Sequence, residues 1–291
     1  MRYIKLLWKL LRLHHWIKNL LVFFPLFFSI NLFDISLVTN AVLGFVFFSL
    51  ASSIIYIFND IRDIEKDRLH AVKRNRPLAS GAIPVRNAVI SAAVLSLVLI
   101  TSLVVSVIFL PLFGFMPTGL LLLYILVNLG YSLGLKNIPI IDIAILAAGY
   151  VIRVFFGALI VGVEVSVWLY LVIITAAFYL GMGKRRNEII GNESGKREST
   201  PFYSVNFLDK NMYVCLTLCV VFYALWSIDT VIVYTIPLVI IILLKYSLNI
   251  EKNKDTDGDP VSVLLKDKIL LLLCGIYIVC LFCIVYINIL I

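Results

Sequence analysis

Apolar runs of about twenty residues recur along the whole of this 291-residue chain, and its charges are confined almost entirely to the gaps between them. Each run is long enough to cross the hydrocarbon core of a bilayer as a helix. Lipid offers backbone amides no water, and a helix satisfies them within the run itself. At 62% hydrophobic and 14% charged, the composition lies outside the range of soluble domains. The expected fold is all-α, a polytopic membrane protein with nine transmembrane helices around a central cavity, as a single transmembrane domain over residues 1–291. The spans are expected at about 16–33, 36–58, 87–110, 118–135, 140–161, 165–183, 211–228, 230–249 and 266–290. Residues 2–13 alternate Lys and Arg with Leu, Ile and Trp, which suits an amphipathic helix lying at the membrane surface. No small-residue cleavage site follows the first apolar run, so this start reads as an uncleaved anchor.

The distribution of charge tests that topology. Of the 25 Lys and Arg residues, all but Arg153 fall at the N-terminus or around the connections that follow even-numbered spans. By the positive-inside rule the N-terminus is cytoplasmic and the C-terminus outside. The net charge of +8 is thereby assigned to orientation and to small anionic ligands. No aromatic–basic module points to nucleic acid. The five cysteines all lie in late apolar segments and read as buried side chains rather than metal or redox groups.

The chemistry concentrates on the basic side. Asn59, Asp60, Asp63 and Asp67 follow the second span directly, at the head of a polar loop over 59–86. On a continuous helix Asn59, Asp63 and Asp67 would stack at i, i+4 and i+8, with Asp60 beside them. Carboxylates crowded at a membrane edge repel one another and mark a functional site. Mg²⁺ carrying a diphosphate offsets that repulsion, because the ion prefers a few carboxylates plus substrate phosphates. The candidate metal ligands are therefore Asn59, Asp60, Asp63 and Asp67. Guanidinium and ammonium groups for phosphate follow at Lys73, Arg74 and Arg76. Lys18 and Asn19 sit at the edge of the first span, Tyr131, Lys136 and Asp142 around the turn between spans four and five, and Lys184, Arg185 and Arg186 at the end of span six, leading into a second loop over 184–210. Arg153 lies eleven residues after Asp142, on nearly the same helix face and about 16 Å deeper. A buried arginine needs a partner, which is either a protein carboxylate or an anionic lipid head group.

Asn59-Asp60-x-x-Asp63-x-x-x-Asp67 behind a membrane helix, on a nine-span chain, resembles the first aspartate motif of the UbiA superfamily of intramembrane prenyltransferases. His14-His15-Trp16-Ile17-Lys18-Asn19, Lys73-Arg74-Asn75-Arg76-Pro77, Tyr131-Ser132-x-x-Leu135-Lys136 and Gly183-Lys184-Arg185-Arg186-x-Glu188 resemble its phosphoribosyl-transferring branch. Aromatic prenyltransferases of the superfamily carry a second Asp-x-x-x-Asp motif, whereas Asp142 is followed four residues later by Leu146. The resemblance implies a Mg²⁺-dependent enzyme in a bacterial-type cytoplasmic (inner) membrane, with its active site facing the cytoplasm. Phosphoribosyl pyrophosphate (PRPP) and a polyprenyl phosphate would be its substrates, with Asp63, Asp67, Lys136 and Asp142 as candidate catalytic groups. The other polar residues named would bind substrate, and the chain is compatible with a homo-oligomer. The rival enzyme reading is an aromatic prenyltransferase using a prenyl diphosphate. A transporter or channel would show paired broken helices near mid-membrane or an internal repeat of spans; the loops after spans two and four are weakly alike, but acids at mid-membrane are absent.

Overall fold

The computed structural model describes residues 2–70, 72–109, 113–190, 199–252 and 259–290, and among these there is no β-strand. Helix α1 (Arg2–Leu11) leads into a 3₁₀ helix (Leu13–Phe23) and the short α2 (Phe24–Phe28). Then come α3 (Ile35–Arg62), α4 (Ile64–Leu69), α5 (Val85–Phe109), α6 (Phe115–Leu133) and α7 (Ile141–Val161). The remainder is α8 (Val167–Ile190), α9 (Val205–Ser227), α10 (Ile236–Lys252), α11 (Pro260–Lys266) and α12 (Lys268–Leu290). Eight helices among the described residues are long and apolar enough to cross a membrane, one for each expected span except the first. That first stretch is built differently. An 11-residue 3₁₀ helix runs to Phe23, and Pro25 lies in the first turn of the five-residue α helix that follows.

The described residues fall into two compact units. One takes everything up to Ile145 together with Ile152–Glu164, and the other takes Leu146–Val151 and everything from Val165 onward. The first unit is organised on α3. Its start is capped by Asp34, whose Oδ1 accepts the Ser36 and Leu37 N–H groups at 2.9 and 3.2 Å, satisfying donors that a helix start leaves over. Phe48 on α3 packs against Tyr124 of α6 and Phe156 of α7, ring centroids 4.4 and 5.5 Å away. At the other end of α3, Ile57 joins Leu10, Leu78, Ile83 and Ala88 in a second cluster that fastens α1. Helix α1 thus buries Leu10 and leaves Ile4, Lys5, Trp8 and Lys9 exposed, the division expected of an amphipathic helix. Along α5, Val94, Leu97, Ile100, Val104 and Ile108 stand more than half exposed. A continuous apolar surface of this kind is unfavourable in water and suited to lipid.

In the second unit, Gly183 of α8 lies where an added Cβ would come 2.8 Å from Ile250 Cδ1 of α10. Tyr223 and Thr235 share a hydroxyl–hydroxyl hydrogen bond of 2.6 Å, and the Tyr277 hydroxyl donates to that of Tyr223 at 3.0 Å. Lys184, Arg185 and Arg186, expected at the head of a loop, ride on α8, which continues to Ile190. Residues 191–198 of that expected loop lie outside the described residues.

The tightest backbone approach is in the first unit. A Cβ on Gly157 of α7 would sit 2.1 Å from the Val22 carbonyl oxygen, and that atom belongs to backbone. Gly157→Ala is therefore expected to cost at least the upper part of the roughly 1–3 kcal/mol typical of overpacking. Gly119→Ala, where no atom lies within 4 Å of the added carbon, is expected to be neutral or slightly stabilising. Thermal unfolding of the two variants in the same detergent checks the contrast.

Candidate active site

The acidic cluster sits where α3 gives way to α4. The backbone bonds of the helix continue through it, from Asp63 N–H to the Asn59 carbonyl at 3.0 Å and from Asp67 N–H to the Asp63 carbonyl at 2.8 Å. Asp63 itself leaves helical geometry, at φ −97° and ψ 9°. The single stacked face expected from i, i+4, i+8 spacing is therefore broken, and the four polar groups diverge. The Ser132 hydroxyl donates to Asn59 Oδ1 at 3.2 Å. Lys136 donates to both oxygens of Asp63, at 2.6 and 2.7 Å. Asp60 and Asp67 converge instead on one nitrogen, Arg76 Nη1, at 3.3 and 2.6 Å. Asp60 also pairs with Arg12, whose guanidinium lies over the Tyr56 ring, 5.0 Å from its centroid.

Burial makes these pairs consequential. Asp60, Asp67 and Lys136 are all buried, and a buried charge is tolerated only where it is paired. Burial raises the Asp67 carboxyl above its ordinary value, against the lowering pull of Arg76. Burial works to lower the Arg12 guanidinium, yet Asp60, Tyr56 and Asp67 leave it raised on balance. Two hard oxygen ligands thus flank a point where positive charge is needed. Among the described residues no group of three or more His, Cys, Asp or Glu side chains is arranged to hold a metal. A site with two convergent carboxylates suits Mg²⁺, which fills its remaining positions with water and substrate phosphate. It does not suit an ion that requires a cage of protein ligands.

The basic loop is shaped by His70, which is buried. Its Nδ1 accepts the Val72 and Lys73 N–H groups at 3.2 and 3.3 Å, turning the chain so that Arg76 reaches back to the aspartates. Lys73 is half-buried and Arg74 exposed. Deeper in the same unit, Arg153 donates from Nε to Asn19 Oδ1 at 2.7 Å and from Nη2 to the Tyr124 hydroxyl at 3.2 Å. Its guanidinium also lies about 5 Å from the ring centres of Phe48 and Tyr124. Asn19 passes the chain on, donating to Ser49 Oγ at 3.0 Å. Lys18 and Tyr131 are half-buried, and Asp142 is fully buried at the first turn of α7, its Oδ1 accepting the Ile143 N–H at 2.9 Å. In the second unit Arg185 donates to Glu188 and Arg186 to Asp209, each at 2.5 Å. Lys184 is half-buried beside them.

The structure adds participants that sequence reasoning missed. Arg12 reads in sequence as the last cation of an amphipathic helix. It has φ 50° and ψ 49°, which ends α1 and turns its side chain onto Asp60. Tyr124 and Ser49 carry no signal beyond being polar groups within apolar runs.

Residues 20–265 match the UbiA prenyltransferase family. The decaprenyl-phosphate phosphoribosyltransferase of Corynebacterium glutamicum is 33% identical over 293 residues, covering 96% of this chain and 86% of its own. That of Mycolicibacterium smegmatis is 31% identical over 295 residues, covering 91% and 87%. Among solved structures, a UbiA homolog from Archaeoglobus fulgidus bound to GPP and Mg²⁺ has a TM-score of 0.71 at 22% identity, covering 96% of this chain and 98% of that one. A UbiA homolog from Aeropyrum pernix K1 has a TM-score of 0.56 at 15% identity, covering 96% and 98%. The chain belongs to the UbiA prenyltransferase family and is an enzyme embedded in the membrane.

The Lys136–Asp63 pair joins the turn after α6 to the end of α3. Lys136→Met leaves a largely buried carboxylate uncompensated, so a loss of about 3–5 kcal/mol is expected. Adding Asp63→Asn should recover part of that loss. Unfolding of both single variants and the double variant supplies the coupling energy directly.

Proposed function

We propose that this enzyme transfers 5-phosphoribose from PRPP to a polyprenyl phosphate and releases pyrophosphate. The observation that carries the reading is the convergence of Asp60 and Asp67 on Arg76, with Arg12 paired to Asp60 and Lys136 to the neighbouring Asp63. This is a setting for a metal-bound diphosphate. Relatives that share about a third of its residues over nearly the full chain are phosphoribosyltransferases by name. The lack of a second carboxylate four residues after Asp142 favours this reading over an aromatic prenyltransferase, whose second acidic motif serves its prenyl diphosphate.

In this reading the chain crosses the membrane nine times, with Leu13–Phe28 contributing the first crossing. The N-terminus and the acidic cluster face the cytoplasm, a placement that the distribution of Lys and Arg supports. Asp60 and Asp67 would hold Mg²⁺, with Asn59 and Asp63 completing the polar mouth; when bound, it would supply positive charge to offset that of a departing diphosphate. Arg76, Lys73 and Arg74 bind phosphate oxygens on the loop, and Lys18 does so from the first crossing. The bond between ribose C1 and the pyrophosphate oxygen breaks, its electron pair leaving with pyrophosphate, and an oxygen of the lipid phosphate bonds to C1 from the opposite face. That oxygen is already anionic, so no strong general base is needed. Lys136, released toward the leaving group or kept on Asp63, sets the charge balance at the mouth. Asp142 faces the electron-poor ring or orients a ribose hydroxyl, and Tyr131 offers its hydroxyl to substrate. Each contact to the developing charge on the leaving group is worth about 3–4 kcal/mol.

Purified protein in nanodiscs with PRPP, Mg²⁺ and polyprenyl phosphate is expected to form a phosphoribosyl lipid and to release pyrophosphate. The same preparation given a prenyl diphosphate and 4-hydroxybenzoate is expected to form nothing, and the reverse outcome would establish the aromatic reading. Asp67→Asn and Asp60→Asn are each expected to lower kcat by about a hundredfold or more. Near-parental turnover with unchanged Mg²⁺ dependence in either variant would remove that residue from the metal site.

A further inference from the structure

The first unit contains a helix whose form is dictated by its neighbours. Along Leu13–Phe23 the buried positions, Asn19 and Val22, lie three residues apart with Trp16 half-buried above them, and the exposed ones, His14 and Leu20, lie six apart. Ile17 and Phe23, on the same stripe as His14 and Leu20, are half-buried, as are His15, Lys18 and Leu21. Residues three apart eclipse in a 3₁₀ helix, so these sets are three straight stripes.

The buried stripe meets two α-helices in matching steps. On α3, the Trp16 Nε1–H donates to Ser53 Oγ and the Asn19 amide to Ser49 Oγ, both at 3.0 Å. On α7, Arg153 binds Asn19 at 2.7 Å, and Gly157 admits the Val22 carbonyl. Each time, three residues of the segment pair with four residues of an α-helix. Three residues of 3₁₀ helix rise about 6 Å, and so do four residues of α-helix. An α-helical Leu13–Phe23 would rise only about 4.5 Å over three residues and fall about 60° short of a full turn. If Asn19 were then set against Ser49 and Arg153, neither Trp16 nor Val22 would meet its partner.

We propose that Arg153 is a positioning residue: bound to Asn19, it holds Leu13–Phe23 in 3₁₀ register and so fixes the face on which Lys18 is presented. Lys18 lies on the stripe of His15, whose ring is 5.4 Å from that of Tyr56, the ring beneath Arg12 and next to Asp60. Register thus decides whether Lys18 faces the side of α3 that carries the acidic cluster. The consequence for substrate rests on the reading above, in which Lys18 binds phosphate; the register itself does not.

The test has two arms in a background without native cysteines. In the first, nitroxide labels are placed singly at 14, 15, 17, 18, 20, 21 and 23 in nanodiscs, and oxygen accessibility is read by electron spin resonance. The parent and Arg153→Lys are expected to show accessibility maxima at 14 and 20, and Arg153→Met to lose that pattern. Should Arg153→Met fail to fold, Asn19→Leu removes the same bond from the other side and is expected to behave alike. Maxima that stay at 14 and 20 in these variants overturn the proposal, whatever their activity. In the second arm, Arg153→Met is expected to raise KM for PRPP about tenfold with a much smaller change in kcat, and Arg153→Lys to restore most of it. A changed pattern with unchanged KM overturns the link to Lys18. Absence of phosphoribosyl transfer in the parent overturns the functional reading, while the accessibility arm still decides the register.

Discussion

Arg76 Nη1 lies between Asp60 and Asp67, and much of the first unit is arranged to make that possible. Two carboxylates buried side by side repel, and burial alone disfavours their charge. A guanidinium between them answers both costs with charge-assisted hydrogen bonds. Reaching them requires the loop after α4 to double back, which His70 enforces by gathering two consecutive backbone N–H groups. It also requires α1 to end where Arg12 can reach Asp60 from the other side. The apolar packing of Leu10 on Ile57, Leu78 and Ile83 holds that end in place. The charge cluster and the greasy cluster beneath it are two halves of one arrangement.

Charge balance here is also what suits the site to phosphate. Arg12, Arg76 and Lys136 are counter-ions to aspartates in the protein and the right chemistry for phosphate oxygens. A mouth containing both signs can accept a metal and its anionic ligand together without leaving a large net charge buried. The arrangement is local, set by a short turn of chain between α3 and α5 and by one lysine after α6.

Much of this was legible in the sequence. The apolar runs located eight long helices to within a few residues at most ends, because a bilayer-length run leaves the backbone little choice. The acidic cluster was found because carboxylates at a membrane edge demand an explanation. Which carboxylates converge was not legible. Spacing assumed an unbroken helix, whereas Asp63 departs from one, and this turns Asp63 toward Lys136. The partner of Arg153 was also out of reach, since Asn19 lies 134 residues away. The 3₁₀ form of Leu13–Phe23 was hidden for a further reason. Nothing in its residues prefers three per turn over 3.6, and the preference arises only when Ser49, Ser53, Arg153 and Gly157 are all in place around it.

Arg12 occupies a backbone region that glycine enters freely and other residues enter at a cost. A programme that improves thermostability by relieving strained positions would single it out and replace it with glycine. The chain would gain a relaxed hinge between its first two helical segments and lose a counter-charge to a buried acid. Durability and chemistry pull in opposite directions at this one position, and the residue found there is the one that chemistry requires.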